Sequence, residues 1–320
     1  MSYAQGDLIE ATDYNNIIGA NTSSNASTFH AVWAWGNGSR GYGQTPISNV
    51  SVAGTVTATQ WATLVNNINS ANLHVRNASS GLTANTAGQI IGYSGGLPTA
   101  ITLLNQDRLL FATNSAVVVN NSGLTAYSAW SVASTTSTLT RAFGATVTFQ
   151  SPDQARFFFN AGGRLKFNVS AVNNAGAGSR SAAAAALFGY LGGVATFGAN
   201  TNGGRTGTGG TLGTNDTAKG YWNATTGNIT LVSVTSTTTN YTTDTATITY
   251  TTNGLVGQHN DNGTILSFYA VINSTSGGNA GGSFDDALNI TPTVTVDVSY
   301  PEVSNLSNTW GAVTVARIGS

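Results

Sequence analysis

Charged side chains are what this sequence has least of. Only 7% of its 320 residues are Asp, Glu, Lys or Arg, whereas an ordinary soluble domain carries about 25%. The polar surface must therefore be built from Thr, Ser, Asn and Gly, which favour turns and strands over helices. Lysine is much rarer than arginine, since the chain has two lysines, Lys166 and Lys219, and nine arginines. Protein interfaces are depleted of lysine, whose strongly hydrated ammonium is costly to bury, so this surface suits packing against copies of itself.

Other absences exclude whole classes of function. The net charge is -1 and no segment carries a cluster of basic residues, so sequence-independent binding to nucleic acid is not expected. The chain has no cysteine, which excludes a disulfide framework, a thiolate nucleophile and a cysteine zinc site. The first ten residues lack the basic and apolar regions of a secretory signal, so synthesis in a cytoplasm is expected.

Convincing helical patterning is found only in a predicted N-terminal module, residues 1–77. A first helix is predicted near Thr12 or Asp13, either of which could cap it, because apolar residues follow at helical spacing. A second helix is predicted from residue 58 to about 74, where Thr57 and Gln60 match a capping box. The apolar faces comprise Tyr14, Ile17 and Ile18 in the first helix and Trp61, Leu64, Val65 and Ile68 in the second.

Beyond this module the sequence predicts a mainly β fold. Residues 78–124 are interpreted as an extended connector with short strands, because Gly and Ser cluster there. Residues 125–320 are predicted to form an antiparallel β-sandwich, jelly-roll or immunoglobulin-like, because many short alternating runs are separated by turn residues. The apolar run 182–191 is interpreted as a short buried helix, since it cannot span a bilayer. No membrane partner is therefore expected.

The individual strands are predicted from alternation of apolar and polar residues or from short apolar runs between turn residues. In the connector these runs are 109–111 and 117–119. In the sandwich they are 145–149, 165–171, 229–236, 246–251, 264–272, 294–300 and 310–317.

The three histidines do not predict a metal site. His30, His74 and His259 lie far apart in the sequence, and none has a partner at metal-ligand spacing. The polar run 259–263 contains oxygens that a calcium ion would accept, but it is interpreted as a hairpin turn, since Asn-Gly supplies the positive φ that such turns need.

Other polar clusters do not predict catalysis. Asp285 and Asp286 are neighbours in sequence, which does not establish the opposed carboxylates of a glycosidase. The glycine-rich segment 201–215 lacks the Lys-Ser/Thr of a phosphate-binding loop and is interpreted as a surface loop. No enzyme activity, cofactor or metal is therefore predicted.

Six aromatic residues are candidates for a ligand site or a subunit interface. Trp and Tyr rings stack on sugars and on neighbouring chains without needing charge. The alternative is that these rings are core residues of a small glycine-bounded cluster. The six are Trp33, Trp35, Tyr42, Tyr221, Trp222 and Tyr241.

Two stretches resemble sequences that recur in structural proteins of tailed bacteriophages, especially those infecting cyanobacteria. In the first, a Gly-Tyr-Gly-Gln turn precedes a short strand and a Thr-x-x-x-Trp helix start. The second, residues 157–170, combines aromatics, Asn, Gly-Gly and an alternating strand. The positions that match in the first stretch are Gly41, Tyr42, Gly43, Gln44, Val50, Val52, Thr57 and Trp61.

The resemblance implies a component of the virion, assembled in the host bacterial cytoplasm. Because such phage proteins are commonly trimers, it also implies a homotrimer that contacts other virion proteins. The layout of the chain favours a tail-associated fibre or appendage that attaches by residues 1–77 and exposes its β domain to the host surface, where a glycan is a candidate partner. Two alternatives stay open: a capsid cement or decoration protein that stabilises the head, and a polysaccharide-degrading tailspike.

Overall fold

The fold is β-rich and mixed with helices, as seen in a computed structural model. The structure describes residues 9–19, 28–34, 41–89, 96–108, 117–122, 130–132, 138–177, 179–191, 195–198, 211–215, 224–257, 259–275 and 288–319. Two antiparallel sheets dominate these residues, and neither sheet closes into a barrel. The predicted mainly β class is confirmed at this coarse level.

Six helices occur among the described residues. They are α1 (Ala11–Ile18), α2 (His30–Trp33), α3 (Ala58–Arg76), α4 (Leu97–Asp107), α5 (Pro152–Asn160) and α6 (Arg180–Tyr190). The two helices predicted in the N-terminal region are α1 and α3, and their predicted apolar faces are buried. The predicted buried helix at 182–191 is α6. Three helices, α2, α4 and α5, were not predicted.

The N-termini of α1 and α3 test the capping residues that were predicted from the local sequence. The capping box is confirmed, since the Thr57 hydroxyl accepts from the Gln60 N–H and the Gln60 side chain accepts from the Thr57 N–H. The cap predicted for α1 is wrong, because the helix starts one residue before Thr12 and its N-cap is Glu10, whose side chain makes no capping bond.

Eleven strands form the two sheets. Sheet I contains β1 (Val117–Ser122), β2 (Trp130–Val132), β4 (Arg164–Asn173), β5 (Ala195–Gly198) and β10 (Leu288–Pro301). Sheet II contains β3 (Leu139–Thr148), β6 (Thr211–Asn215), β7 (Ile229–Thr235), β8 (Thr245–Thr252), β9 (Ile265–Ser274) and β11 (Thr314–Gly319). The predicted strands at 145–149, 165–171, 229–236, 246–251, 264–272 and 294–300 correspond to β3, β4, β7, β8, β9 and β10.

The strand order shows which strands are central. In sheet I, β10 lies between β4 on one side and β1 and β2 on the other, while β5 pairs with β4. In sheet II the order is β11-β3-β9-β8-β7-β6. Side chains alternate between a buried and a more exposed face, as along β10, where Val294, Val296 and Val298 are buried.

The buried faces of the two sheets lie against each other. The Phe167 ring on β4 stacks on Phe268 of β9, with centroids 5.6 Å apart. Phe197 of β5 contacts Tyr250 of β8 at 4.9 Å. Helix α6 contacts strands of both sheets, and its Phe188 packs edge-on against Phe143 of β3 at 5.1 Å. The buried hydrophobic residues of these strands and of helices α1 to α4 belong to one core cluster.

The predicted extended connector contains a helix instead. Helix α4 buries Leu97, Ala100, Ile101 and Leu104 against the core, a spacing of i, i+3, i+4 and i+7 that is helical. Pro98 lies in the first turn of this helix, where the missing N–H has no intrahelical partner. The connector strand predicted at 117–119 lies within β1, and the one at 109–111 lies outside the described residues.

Three local predictions need correction. Residues 211–215 of the predicted glycine-rich loop form β6, because they pair with β7. The strand predicted from Trp310 begins at Thr314, since Trp310 is buried in the core rather than paired in the sheet. In the predicted turn at 259–263 the positive φ belongs to Asn260, at 71°, and not to the Asn-Gly pair. Asn tolerates this conformation better than other side chains do.

Replacing Thr57 tests the capping box. Thr57→Ala removes the hydroxyl that accepts from the Gln60 N–H, so we expect the free energy of unfolding to fall by about 1 kcal/mol. Thr63→Ala is the matched control, because Thr63 is exposed inside α3 and Ala has the higher helix propensity. Urea denaturation of both variants measures the difference, and an equal effect of the two would contradict the role of the cap.

Candidate functional site

The Gly-Tyr-Gly-Gln turn, residues 41–44, is held by backbone hydrogen bonds to helix α2 and the residue after it. The N–H groups of Tyr42, Gly43 and Gln44 donate to the carbonyls of Val32, Ala34 and Trp33 at 2.9, 2.6 and 3.0 Å. Gly41 and Gly43 have φ values of 95° and 68°. These left-handed values favour glycine, since other side chains clash with the backbone there.

This turn contacts the second phage-like stretch directly. The Asn160 side-chain amide donates to the carbonyl of Gly41 at 2.9 Å, and both residues lie inside the fold. A Cβ atom on Gly43 would lie 2.4 Å from the Phe157 ring. Helix α5 therefore presents Phe157 and Asn160 to the turn, and the two stretches meet although they lie far apart in sequence.

The same turn also secures a C-terminal segment, residues 302–311. The Gln44 side chain donates to the carbonyl of Ser307 at 2.9 Å and accepts from its N–H at 2.8 Å. The Thr309 hydroxyl donates to the Tyr42 carbonyl at 2.6 Å, and the Tyr42 hydroxyl donates to the carbonyl of Arg108. We call these contacts around residues 41–44 the joint, because helices α2 and α5 and segment 302–311 all meet there.

Side chains also supply hydrogen bonds to the irregular segment that follows the turn. The Asn15 amide donates to the Val50 carbonyl at 2.8 Å and accepts from its N–H at 2.9 Å. The Ile47 N–H donates to His30 Nε2 at 2.9 Å, and the Trp33 indole donates to the Thr45 carbonyl. These partners compensate for the absence of a helix or sheet ladder, which buried backbone groups otherwise need.

Two of the histidines are buried beside this region and serve as neutral hydrogen-bonding groups. Burial lowers the pKa of His30 to about 4. Burial also lowers the pKa of His74 to about 4, against the opposing effects of its hydrogen bond to Ala161 and of the Glu302 carboxylate. His74 Nε2 lies 2.9 Å from the Ala161 carbonyl, so that nitrogen carries the proton.

A groove of about 670 Å³ opens beside the joint. It is lined by Gln150, residues 300–304, Asn308 and residues 310–312. Val303 is 60% exposed at its rim, and the Ser304 hydroxyl donates to the Glu302 carboxylate at 2.6 Å. Its volume matches that of small-ligand sites, and its amide, hydroxyl and carboxylate groups can hydrogen-bond a neutral ligand.

A separate buried polar network lies at one end of the sheets. The Arg180 guanidinium donates to the Ser274 hydroxyl at 2.7 Å and to the Ser274 carbonyl at 2.9 Å. The Ser274 hydroxyl donates to the Asp244 carboxylate at 2.6 Å, which also accepts from the Thr275 N–H. All three side chains are fully buried, so this network fastens α6 to the end of β9 rather than presenting a reactive serine.

The six candidate aromatics do not form a ligand platform among the described residues. Trp33, Tyr42 and Tyr241 are buried, with exposed fractions of 7%, 1% and 1%. Their faces are covered by core contacts, such as Phe29 stacked on Trp33 and His74 beside Tyr42. These three rings are therefore packed inside the fold. Trp35, Tyr221 and Trp222 lie outside the described residues.

The described part of the chain contains neither a metal-ion cluster nor a helix that could span a membrane. No group of three or more His or acidic residues there could hold a metal ion. No helix in that part is long and apolar enough to cross a membrane. Asp285 and Asp286 lie outside it.

Replacing Gln44 tests the joint. Gln44→Met leaves the Ser307 N–H and carbonyl without their protein partners, so we expect segment 302–311 to open more often. The Ser307 amide should exchange its hydrogen at least about tenfold faster, equivalent to about 1.4 kcal/mol of local opening free energy. Gln106→Met, at an exposed position of α4, is the control. Unchanged exchange in Gln44→Met would show that the pairing contributes nothing.

Acid titration tests the buried histidines. Their folded pKa of about 4 lies below the unfolded value of about 6.5, so the unfolded chain binds more protons between these pH values. Stability should be complete above pH 6.5 and fall towards pH 4, by about 1.4 kcal/mol per pH unit for each histidine. His30→Gln and His74→Gln should each flatten this slope in urea titrations relative to the unchanged protein, and an unchanged slope in both variants would contradict the prediction.

Comparison with known proteins gives no relative. No protein family model matches the chain, no curated protein is similar to it, and no solved structure resembles it. Function must therefore be inferred from the chemistry of the joint, the groove and the sheet surfaces.

Proposed function

We propose that this chain is a structural protein of a tailed-phage virion, without a catalytic role, and that it belongs to a tail-associated fibre or appendage. The contact between the two phage-like stretches carries this proposal. If the two stretches belong to one structural element, they are expected to lie in contact. Asn160, Phe157 and the residues 41–44 form one packed unit, which supports a resemblance to a shared structural element.

Attachment through the N-terminal region is supported by an exposed apolar residue in the first stretch. Val52 is 91% exposed, on a tight turn closed by the Gly54 N–H donating to the Ser51 carbonyl at 2.8 Å. Its neighbour Ala53 has a φ of 63°, an unusual value for a residue with a side chain. An apolar tip on a rigid turn suits insertion into a neighbouring virion protein.

We further propose that the two sheets form a sandwich of the jelly-roll type rather than the immunoglobulin-like type. The chain changes sheet from β2 to β3 to β4, and again from β9 to β10 to β11. The last long strand, β10, also pairs with the first strands, β1 and β2. Jelly rolls wind strands between two sheets in this way and occur in viral capsid proteins.

Host contact is the role we assign to the groove beside segment 302–311. Amide and hydroxyl groups of Gln150, Ser304 and Asn308 line it, and such groups bind the hydroxyls of a neutral glycan. Glu302 is the one charged residue among the described residues that line it, so a strongly charged ligand has little to pair with.

A capsid cement or decoration protein is the second candidate. It is favoured by the way the N-terminal region packs along the β part of the chain, through Gln44, Tyr42 and His74. A body of this kind can bridge capsid subunits, whereas a fibre more often carries its attachment module on an extended stalk.

Cryo-electron microscopy of the particle that carries this chain separates the candidates. A tail-associated appendage requires density for the chain at the tail, in few copies, and loss of adsorption when the chain is deleted. Density on the capsid shell with none at the tail would overturn the appendage in favour of cement, and deletion should then lower resistance of the head to heat and osmotic shock. Absence from purified particles would overturn both.

A further inference from the structure

On the five strands of sheet II whose side chains the structure describes, the outward positions carry no charged residue. Strand register, combined with the alternation of burial along β9, identifies twenty such positions, half of them threonine; two of the twenty, Gly144 and Thr249, are buried. They are Thr314, Ala316 and Ile318 on β11; Thr140, Ala142, Gly144, Thr146 and Thr148 on β3; Ile265, Ser267, Tyr269, Val271 and Asn273 on β9; Thr245, Thr247, Thr249 and Thr251 on β8; and Thr230, Ser233 and Thr235 on β7. We call this surface the threonine face.

The outward face of sheet I differs in this respect. Arg164 and Lys166 lie on β4, and Asp297 lies opposite Lys166 on β10. The Asn168 amide donates to the Asp297 carboxylate at 2.9 Å. The two outer faces of one fold thus separate into a charged surface and an uncharged one, although both are built from alternating strands of similar composition.

The centre of the threonine face has the shape of a contact surface. Tyr269 lies on the third strand of the sheet, between Gly144 on β3 and Thr249 on β8. Gly144 cannot carry a side chain, because a Cβ atom there would lie 1.8 Å from the Phe268 carbonyl oxygen. The Tyr269 ring therefore projects beside a position that has no side chain. Tyrosines at the centre of an interface often dominate its binding energy.

A second copy of this chain is the partner that such a face fits best. In an association around a two-fold axis the same surface patch of both copies meets, so a charged residue near the axis would lie close to its own like charge. The threonine face has none. Each threonine hydroxyl both donates and accepts hydrogen bonds, so identical faces can satisfy each other. Eighteen of the twenty positions are not buried, close to the 20 to 30 residues that each side of a stable interface contributes.

We infer that the threonine face is the surface through which copies of this chain associate. This inference rests on the proposed function, in which the chain works as an assembled virion part, and it names the surface for that assembly. A second copy supplies an uncharged face of the same composition, so the association buries no charge on either side.

A matched pair of charge insertions tests the inference. Thr247→Lys places a charge beside Val271 on the threonine face, and Thr293→Lys places the same charge on the outer face of sheet I. Both are half-exposed threonines on strands with a neighbour on either side. Analytical ultracentrifugation of the full chain should show an oligomer for the unchanged protein and for Thr293→Lys, and at least about tenfold weaker association for Thr247→Lys.

Circular dichroism and thermal unfolding establish that each variant is folded. If Thr247→Lys fails to fold, Ala142→Lys at an exposed position of the same face replaces it. A monomeric unchanged protein at the highest measurable concentration would overturn the inference, as would dissociation by Thr293→Lys with none by Thr247→Lys. A monomer that needs Thr247 for incorporation into particles would assign the face to another virion protein. If Thr247→Lys weakens association and Thr293→Lys does not, but the chain is absent from purified particles, the proposed function is wrong and the inferred interface is still supported.

Discussion

The hydrogen bonding of residues 41–44 is the constraint on which the arrangement of this fold depends. Polar groups from four places converge on a turn that has no regular structure of its own: the carbonyls of α2 and the residue after it, the Asn160 amide, the Ser307 backbone and the Thr309 hydroxyl. The bonds of Ser307 and Thr309 tie the turn to segment 302–311. Apolar packing is not directional, so the relative position of the two parts is set by these bonds.

Neutral hydrogen bonds take the place that charge pairs hold in most proteins. Among the described residues the ion pairs are Arg76 with Asp107 and Arg156 with Asp153. Asn15 and Gln44 instead use both ends of an amide to pair with a backbone N–H and carbonyl. An amide does this without the desolvation cost of an ion, and salt does not screen it as it screens charge. A chain with so few charges can therefore still hold distant segments in a defined register.

The features that were predicted correctly depend on residues close together in the sequence, whereas the missed contacts join residues that are far apart. The capping box at Thr57 and the alternation along β4 and β10 depend on residues close in sequence, and both were found. Helix α5 could have been found too, since Ser151 caps it and Pro152 occupies its first turn. Gln44 and Ser307 are 263 positions apart, and neither local sequence indicates that the two residues pair. Trp33 and Tyr42 were ambiguous for the same reason, because the core that covers them is assembled from distant residues.

The few charged residues of the described strands are distributed unevenly between the outer faces of sheet I and sheet II. A net charge near zero favours association, but composition alone does not say where. The strand register supplies that information, because it gathers Arg164, Lys166 and Asp297 on one sheet and leaves the other sheet with hydroxyls around Tyr269. Sheet I can remain in water while sheet II packs. The scarce charges are therefore distributed unevenly among the described strands, since the outward positions of sheet II lack the charges that sheet I carries and that oppose self-association.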